Sequence, residues 1–531
     1  MASDSGNLTA RLPLPPDQGT QILYTIFFIL TTATVASYFR SWYRLRHVPG
    51  PFLNSLTALV QLKKVYDGKY HLYLEGLHQK YGPLVRIGPG EVMFSDPDTF
   101  KRVNGIRSQY TRGPFFEVMR AQPGKDHVFS TRDEQKHKEL RAKMGPGYAG
   151  QQNQGFEKSL DKIMSQLIDL LERKYMSTDT EYRPIDFSCT ATYFTLDVIS
   201  EIAYGEPFGH LNEDKDVFGY IKQMHDSLPA LILLGTVPGL IKWVHRWPST
   251  LFLPNEKDKF GMGYMIGFAT KFIDHRMALL EQGHPPGNDI IQSFIDHGLP
   301  RDQIIQEITL QILAGSDTSA TTMRMTLLHL TAHPPSLRRL LDEIDTALSP
   351  SDERLSSATK NGGIITAAEA SSLPYLQAVI REGLRIYPPA TGLVGKLVPE
   401  PGGDTVHGYK LPVGTALGQN IWGICRSKEF WGDDADIFRP ERWLEAGLGQ
   451  EGQQNNARLR EMMTTQEMIF GYGKYSCLGK GLVGMELGKL YFELFRRYDF
   501  SIVDPVHPMR LINAAAWMTT EFWLRITRRV T

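Results

Sequence analysis

The stretch of sequence that decides the fold is a glycine-rich loop carrying one of only three cysteines in the chain. It reads Phe470-Gly471-Tyr472-Gly473-Lys474-Tyr475-Ser476-Cys477-Leu478-Gly479. Glycine lets a backbone turn tightly and approach a flat ligand closely. Cys477 lies where a helix is expected to begin, and a helix N-terminus favours a thiolate. A thiolate on such a loop is typical of a soft metal ligand, such as a ligand of haem iron.

Two other interpretations of this loop remain open at this point. The first is a buried cysteine with a purely structural role. The second is a dinucleotide-binding loop, although the GxGxxG pattern requires a glycine where this chain has Ser476.

Composition and charge exclude several classes of protein. The chain has 531 residues, 42% hydrophobic and 22% charged, and its 58 basic side chains balance its 58 acidic ones. This composition is ordinary for a globular protein and excludes a fibrous or wholly disordered chain. The neutral balance argues against a nucleic-acid-binding protein. The three cysteines, Cys189, Cys425 and Cys477, exclude a disulfide scaffold and a CxxC zinc site and fit a reducing compartment.

The N-terminal region has the sequence of a membrane anchor. Residues 18–39 carry no charge, and about 20 apolar residues in a helix cross the hydrocarbon layer of a bilayer. Three arginines follow at Arg40, Arg44 and Arg46, so the positive-inside rule places the rest of the chain in the cytosol. The tail before the anchor would then be lumenal, and its triplet Asn7-Leu8-Thr9 is a candidate glycosylation site.

Helical periodicity dominates the remainder of the chain. A long helix is predicted over Arg301–Ala332, a second begins at Pro374 and is stopped by Pro388, and a third covers about Leu478 to Arg496. Short strands are predicted at 84–87, 92–94, 407–413 and the C-terminus, and surface loops at 349–372 and 445–456. The predicted fold is therefore mostly α with a small β portion.

The cysteine loop resembles the haem loop of the cytochrome P450 family, which reads FxxGxRxCxG. Phe470, Gly473, Cys477 and Gly479 match this pattern. Tyr475 stands where the family usually has arginine or histidine, so the usual contact of the loop with a haem propionate is in doubt. The resemblance implies that Cys477 is the axial ligand of the iron.

Further motifs of the same family follow in the family's order. Glu382 and Arg385 match ExxR, and with Arg442 of a PERF-like segment they imply a buried structural triad. The run Ala314-Gly315-Ser316-Asp317-Thr318 matches (A/G)Gx(D/E)T in the middle of the long helix, where glycine and a back-bonding threonine could open a notch. The resemblance implies that Asp317 and Thr318 deliver protons to bound dioxygen.

Weaker matches concern the carboxylates of the cofactor and the substrate pocket. The segment from His137 to Arg141 resembles the family's WxxxR, and with Lys396 it implies contacts to the haem propionates. Cys425 is interpreted as structural. Family topology suggests pocket walls that are mostly apolar and predict a lipophilic substrate: Phe115, Phe116, Met119, 391–394 and 515–518.

The resemblance implies a single large haem domain over residues 55–531, behind a lumenal tail (1–17), a transmembrane helix (18–39) and a basic, proline-rich hinge (40–54). It implies haem b, dioxygen, a lipophilic small molecule and electrons from an NADPH-cytochrome P450 reductase, with the protein in the endoplasmic reticulum membrane. The finer resemblance is to fungal microsomal members that act in secondary-metabolite biosynthesis.

Two alternatives stay open for the activity: a haem-thiolate isomerase or dehydratase that needs no reductase, and a non-catalytic membrane-bound ligand carrier. A monooxygenase needs NADPH for turnover, whereas the isomerase or dehydratase does not. A preparation without haem absorbance would indicate the ligand carrier. A further expectation is a second membrane contact within 237–253, where tryptophans and basic residues interrupt an apolar stretch.

Overall fold

The computed structural model describes residues 18–149, 155–236, 254–450 and 456–530. The predicted lumenal tail with Asn7 and the predicted membrane contact within 237–253 lie outside these residues, as does most of the second half of the predicted loop 445–456.

Helices make up most of the described chain. In order, they are α1 (Gln18–Arg44), α2 (Phe52–Leu56), α3 (Leu59–Tyr66), α4 (Tyr70–Tyr81), α5 (Pro97–Asn104), α6 (Glu134–Tyr148), α7 (Phe156–Leu170), α8 (Phe187–Tyr204), α9 (His210–Glu213), α10 (Tyr220–Thr236), α11 (Gly261–Glu281), α12 (Ile290–Asp296), α13 (Arg301–Ala332), α14 (Pro334–Leu348), α15 (Ser357–Lys360), α16 (Ala367–Ser371), α17 (Pro374–Ile386), α18 (Ile421–Cys425), α19 (Lys428–Trp431), α20 (Glu441–Glu445), α21 (Ala457–Gln466) and α22 (Lys480–Arg497).

The strands are short and form four small sheets. They are β1 (Leu84–Gly88), β2 (Glu91–Phe94), β3 (Thr111–Arg112), β4 (Ile185–Asp186), β5 (Leu393–Leu397), β6 (Asp404–Val406), β7 (Tyr409–Leu411), β8 (Ala416–Gln419), β9 (Tyr498–Ile502), β10 (Arg510–Asn513), β11 (Trp517–Thr520) and β12 (Trp523–Arg528). The largest sheet has the order β1-β2-β8-β5-β3, and the others are β4-β12-β9, β10-β11 and β6-β7. The fold is mostly α with a small β portion, as the sequence predicts.

Helix α13 crosses the centre of the main core and packs along α8. Its 32 residues follow Pro300, which stops the preceding segment, and the next helix opens with two prolines. Most of its side chains are buried on several faces, as in a helix enclosed by others. The predicted helices at 301–332, 374–386 and 478–496 are confirmed, the last beginning two residues later than predicted.

One prediction about local structure is wrong, and another is confirmed only in part. The expected surface loop at 349–372 contains α15 and α16, and Leu355 and Ile365 within it are buried. Helix α16 begins with a capping box in which Thr366 and Glu369 satisfy each other's backbone N–H groups, a signal that the polar composition obscured. The strand expected at 407–413 is present as β7, but it begins at Tyr409 and forms a hairpin with β6, because the chain turns at His407 and Gly408 with positive φ at both residues.

Helix α1 covers the predicted anchor and continues to Arg44. Its described aromatic side chains, such as Phe27, Phe28 and Phe39, are exposed. Along the described part of the chain, no helix combines the length and the apolarity needed to span a bilayer.

Candidate active site

The cysteine loop is held by two tight turns in front of α22. Short 3₁₀ turns cover Glu467–Phe470 and Gly473–Tyr475, and the N–H of Cys477 donates to the carbonyl of Phe470 at 2.6 Å. Gly473 has φ +58°, and a Cβ there would lie 2.5 Å from the carbonyl oxygen of Asn104 at the end of α5. Glycine is therefore needed for both the turn and the close approach to α5.

The Cys477 side chain is exposed on one side of this loop and enclosed by protein elsewhere. Burial raises the pKa of the thiol, while N–H groups of Gly479 and Lys480 at the start of α22 and the charge of Arg141 lower it. Arg141 also donates to the carbonyl of Ser476 at 2.8 Å. The surroundings only partly offset burial, so a stable thiolate requires a further positive partner, which a metal ion bound to the sulfur would supply.

Helix α13 exposes two side chains in the middle of an otherwise buried stretch. Ala314 and Thr318 are exposed, and they lie one turn apart on the same face. The hydroxyl of Thr318 donates to the carbonyl of Ala314 at 2.9 Å, which is the predicted back-bond. The helix nevertheless continues through Gly315 without interruption, and a Cβ on that glycine would lie 3.3 Å from Ile199 of α8, so Gly315 also permits close helix packing.

Tyr148 at the end of α6 links α13 to the cysteine loop. Its hydroxyl accepts from Gln311 at 2.6 Å, and Gln311 precedes Ala314 by three residues. Burial raises the pKa of Tyr148 well above its usual value, and the negative charges of Glu307 and Cys477 add to the effect. Tyr148 is thus bonded to α13 through Gln311 and lies within the electrostatic influence of Cys477.

A cluster of basic side chains, most of them buried, lies beside the cysteine loop. Arg112 of β3 and Lys396 of β5 are directly opposite each other in the antiparallel pair. Like charges in this arrangement destabilise a sheet unless an anion lies between or beside them. His137 and Arg141 of α6 complete the cluster. Burial, and then the charges of Arg112 and Arg141, lower the pKa of His137 to about 3.

Polar atoms of this cluster have no hydrogen-bonding partner among the described residues: the Nζ of Lys396, the Nε2 of His137 and the Nε of Arg112. Buried polar groups are nearly always paired. Burial, with the nearby charge of Arg112, lowers the pKa of Lys396 to about 6. Unpaired polar atoms on basic side chains, with the charges of Arg112 and Arg141, fit the carboxylates of a flat, iron-bearing cofactor held by Cys477.

Tyr475 contributes no charged group to this cluster, but its aromatic ring packs against the basic side chains. The Nζ of Lys396 lies 2.9 Å from the ring centroid, and the Arg112 guanidinium lies 4.6 Å from it. The Tyr475 hydroxyl donates to Glu134, and Lys474 pairs with the same carboxylate at 2.7 Å. The loop itself therefore contributes no free cation, and the cations come from β3, β5 and α6.

None of the sequence motifs above assigns a role to Arg112, which the structure places opposite Lys396. Its NH1 donates to the carbonyls of Val128 and Thr131, so it also fixes the chain ahead of α6. In the sequence, Arg112 stands between Thr111 and Gly113 and belongs to no recognised motif. Only its pairing with Lys396 in the structure indicates a role.

Glu382, Arg385 and Arg442 meet in the interior, each of them buried. Arg385 makes two bonds to the Glu382 carboxylate, at 2.9 and 2.7 Å, and Arg442 makes one at 3.0 Å. Arg385 also donates to the carbonyls of Cys425 and Ala435 at 2.7 Å each. These bonds tie α17 to the segment that leads to the cysteine loop, and Cys425 itself is fully buried.

The other predicted residues are placed as follows. Phe470 and Asp317 are half-buried. Among the proposed pocket walls, Phe116, Trp517 and Met518 are buried, and the Thr391 N–H donates to the carbonyl of Ala515 at 2.8 Å. These contacts join two of the proposed walls to one another.

Comparison with known proteins agrees with this site. A family model described as Cytochrome P450 matches residues 48–520. The chain is 37% identical over 520 residues to Cytochrome P450 monooxygenase ABA1 of Pyricularia oryzae, covering 96% of this chain and 98% of the relative. It is 33% identical over 487 residues to Cytochrome P450 monooxygenase aba1 of Botryotinia fuckeliana, covering 91% and 92%. Over 521 residues it is 30% identical to Cytochrome P450 monooxygenase cicH of Emericella nidulans, covering 96% and 98%.

The match to the family model covers most of the chain, and each of these relatives aligns along nearly its full length. A P450 monooxygenase uses dioxygen, an organic substrate, a redox partner and a haem bound through a thiolate. With the exposed thiol and the adjoining cation cluster in place, the chain belongs to the cytochrome P450 family and is a P450 monooxygenase.

Proposed function

We propose that this protein is a membrane-anchored monooxygenase that inserts one oxygen atom from O2 into a lipophilic small molecule, in a step of secondary-metabolite biosynthesis. The observation that carries the proposal is the exposed Cys477 thiol beside a cluster of basic side chains whose buried polar atoms are unpaired among the described residues. The relatives named above are fungal monooxygenases, which supports the biosynthetic setting.

The cofactor that fits this site is haem b, iron protoporphyrin IX. Cys477 would hold its iron, and Arg112, His137, Arg141 and Lys396 would hold its two carboxylates. Phe470, Gly473 and Gly479 shape the loop on which the cysteine sits. When bound, the haem supplies the activation of dioxygen, which no side chain of the protein can perform.

In the reaction, the protein's own residues would bind the substrate, exclude water and move protons. The Thr318 hydroxyl would form a hydrogen bond to dioxygen bound at the exposed face of α13. Asp317, at the preceding position, would bring protons to it from solvent. Positioned acid–base groups of this kind contribute about 10²–10⁴-fold in rate. The buried side chains of Phe116, Trp517 and Met518 favour a lipophilic substrate.

We further propose that residues 18–39 anchor the protein in the endoplasmic reticulum membrane, with the catalytic domain in the cytosol. Support comes from the uncharged stretch, the arginines that follow it and the exposed aromatic side chains of α1. An NADPH-cytochrome P450 reductase on the same membrane would supply the electrons.

The proposal is tested with membranes that contain the protein and a reductase. Candidate lipophilic metabolites are added with NADPH, and products heavier by one oxygen atom are sought by mass spectrometry, with ¹⁸O2 as the label. We expect a product that requires NADPH and carries one ¹⁸O atom. A product of unchanged mass, or lighter by one water, that forms equally well without NADPH would instead indicate an isomerase or dehydratase.

A further inference from the structure

Glu307 is a buried carboxylic acid of α13 to which the proposed reaction gives no role. Residues seven and eleven positions apart in a helix share a face, so Glu307 lies on the face that is exposed at Ala314 and Thr318. Unlike those two residues, Glu307 is fully buried. The segment that covers this end of the face joins β3 to α6 and is here called the β3–α6 loop (residues 113–133).

Two side chains of α13 bind the backbone of this loop. The N–H of Val128 donates to both oxygens of the Glu307 carboxylate, at 2.8 and 3.1 Å. The side-chain amide of Gln303, one turn earlier, donates to the same carboxylate at 2.7 Å and to the carbonyl of Asp126 at 2.9 Å. The attachment therefore uses side chains of α13 and main-chain atoms of the loop.

The burial of Glu307 makes this attachment strong. A buried carboxylate is costly unless hydrogen bonds satisfy it, and bonds to a charged acceptor are stronger than bonds between neutral groups. Burial raises the pKa of Glu307 to about 7, while the bonds from Val128 and Gln303 and the charges of Lys136 and Arg112 lower it. The loop thus helps to stabilise the charge on Glu307, and Glu307 in turn holds the loop.

Inside the loop, the residues on either side of Val128 contact two of the predicted pocket walls. The Nε2–H of His127 donates to the carbonyl of Met119 at 2.8 Å. The ring of Phe129 packs edge-on against that of Phe116, with centroids 5.1 Å apart. Fixing Val128 against α13 therefore also fixes Met119 and Phe116.

The carbonyl of Val128 is bonded to the cluster of basic side chains. Arg112 donates to this carbonyl at 2.6 Å, and Arg112 belongs to the cluster beside the cysteine loop. The backbone of Val128 is thus held from α13 through its N–H and from β3 through its carbonyl. One residue of the loop connects the long helix, the predicted pocket walls and the site proposed for the cofactor carboxylates.

We propose that Glu307 is a positioning residue for the substrate: it holds Val128 so that the β3–α6 loop closes one end of the exposed face of α13 and presents Phe116 and Met119 to the substrate. Glu307 acts through the loop and not by contact with the substrate or the cofactor. This inference rests on the proposed function, which places a lipophilic substrate over that exposed face.

Glu343 of α14 offers a matched control. Its carboxylate accepts from the N–H groups of Tyr375 and Leu376 at 2.8 Å each, at the start of α17. Burial raises the pKa of Glu343, while these two bonds lower it. Both carboxylates thus hold backbone N–H groups, but Glu343 holds the start of a helix and Glu307 holds the β3–α6 loop.

The experiment compares the holoenzymes of wild type, Glu307→Gln, Gln303→Leu, their double variant and Glu343→Gln. Hydrogen–deuterium exchange of peptides from residues 113–133 measures the attachment of the loop without turnover. The affinities for imidazole and for clotrimazole are measured from the haem spectrum. Both compounds bind haem iron through an imidazole nitrogen, but clotrimazole also carries bulky aromatic rings that fill a lipophilic pocket.

In Glu307→Gln, an amide NH2 replaces one acceptor oxygen at almost unchanged volume. The exchange rate of the loop and the Kd of clotrimazole should each rise by up to about tenfold, the effect of losing one hydrogen bond to a charged group. Imidazole affinity and the carbon monoxide spectrum should stay unchanged. Gln303→Leu should act in the same direction, and the losses in the double variant should be less than additive, because both side chains hold one attachment. Glu343→Gln should lower only the thermal midpoint.

Unchanged loop exchange in Glu307→Gln and Gln303→Leu overturns the inference, and Gln303→Leu carries the test by itself if Glu307→Gln does not fold. Faster exchange with unchanged clotrimazole affinity also overturns it, because the loop would then form no wall for a ligand. Equal changes in Glu307→Gln and Glu343→Gln would indicate general destabilisation and overturn it as well. If the variants differ as expected but the wild type forms no NADPH-dependent product, the proposed function fails and the role of Glu307 in ligand binding stands.

Discussion

At the scale of single residues, the site depends on the Cys477 thiol and on a few basic side chains whose polar atoms are unpaired among the described residues. Cys477 lies on the open side of a strained loop, whereas Cys425 is fully buried beside Arg385. Lys396 shows how burial alters a common side chain, because its Nζ lies against an aromatic ring and has no described hydrogen-bonding partner. Each residue has a chemical role that depends on its surroundings rather than on its type.

Cys477→Ser should abolish the long-wavelength Soret band that carbon monoxide gives with the reduced protein. The band requires a thiolate opposite the carbon monoxide, and a serine hydroxyl cannot supply one. Cys425→Ser is the control and should keep the band, because Cys425 is enclosed in the core. Retention of the band by both variants would contradict the assignment of Cys477 to the iron.

Lys396→Met should weaken haem retention and remove part of its pH dependence. The pKa of Lys396 is about 6 because of burial and the charge of Arg112, and a neighbouring carboxylate would raise it, so haem binding takes up a proton. Haem affinity should then be highest below about pH 6 and fall as the pH rises, until it passes the pKa of the complex. Each tenfold loss corresponds to about 1.4 kcal/mol.

The measurement is the rate of haem transfer to excess apomyoglobin at pH 6 and pH 8. Wild type should lose haem faster at pH 8, while Lys396→Arg, charged at both pH values, should lose this dependence and retain haem. The same pH dependence in wild type and Lys396→Met would show that another group titrates.

At the scale of elements, one long helix and one loop set the geometry. Helix α13 is buried along most of its length, so Ala314 and Thr318, the exposed residues in its middle, mark where a ligand must approach. The cysteine loop is fixed by its own turns and by contact with α5. The triad around Glu382 attaches α17 to the chain leading into that loop.

Thr318→Ala should separate oxygen consumption from product formation. The hydroxyl is expected to stabilise the protonated oxygen, and its loss would let peroxide escape while NADPH is still oxidised. The carbon monoxide spectrum and substrate affinity should not change, because Thr318 holds neither the iron nor the cofactor carboxylates. Product, peroxide and NADPH are counted together, and unchanged product per NADPH would return Thr318 to a role in helix packing.

Gly473→Ala should destabilise the loop and lower haem content. Its φ is +58° and the added Cβ would lie 2.5 Å from the backbone oxygen of Asn104, which cannot move away without shifting α5. We expect a cost of about 1–3 kcal/mol, as for strained backbone positions. Gly76→Ala in α4 is the control: open space surrounds it, and alanine there should stabilise by up to about 1 kcal/mol. Thermal unfolding and haem-to-protein ratio measure both, and equal midpoints for the two variants would argue against strain at Gly473.

At the scale of the whole molecule, one helical body is built behind a separate N-terminal helix. The four small sheets lie at intervals along the chain, and β5 and β3 bring Lys396 and Arg112 from segments almost 300 residues apart into direct register. The site is therefore assembled by long-range contacts, while α1 keeps most of its described side chains exposed and bonds to the body at its C-terminal end.

Removing residues 1–45 should release much of the protein from membranes, but not all of it. The uncharged stretch at 18–39 is expected to provide most of the attachment, and the tryptophans and basic residues within 237–253 are expected to provide a weaker contact. Flotation of membranes after a carbonate wash measures the attached fraction. Full-length protein should float entirely with the membranes, and a shortened protein that stays wholly in the soluble fraction without detergent would argue against the second contact.

The sequence alone determined the loop of Cys477, the long helix with Asp317 and Thr318, and the ExxR pair, because these signals lie within a few neighbouring residues. Turns, helix periodicity and proline stops are local, so they can be read in one pass along the chain. The tertiary structure alone decided that Arg112 opposes Lys396 and that Tyr475 binds Glu134 instead of carrying a charge. These contacts join residues far apart in sequence, and the burial that leaves their polar atoms unpaired exists only once the helices and sheets have packed together.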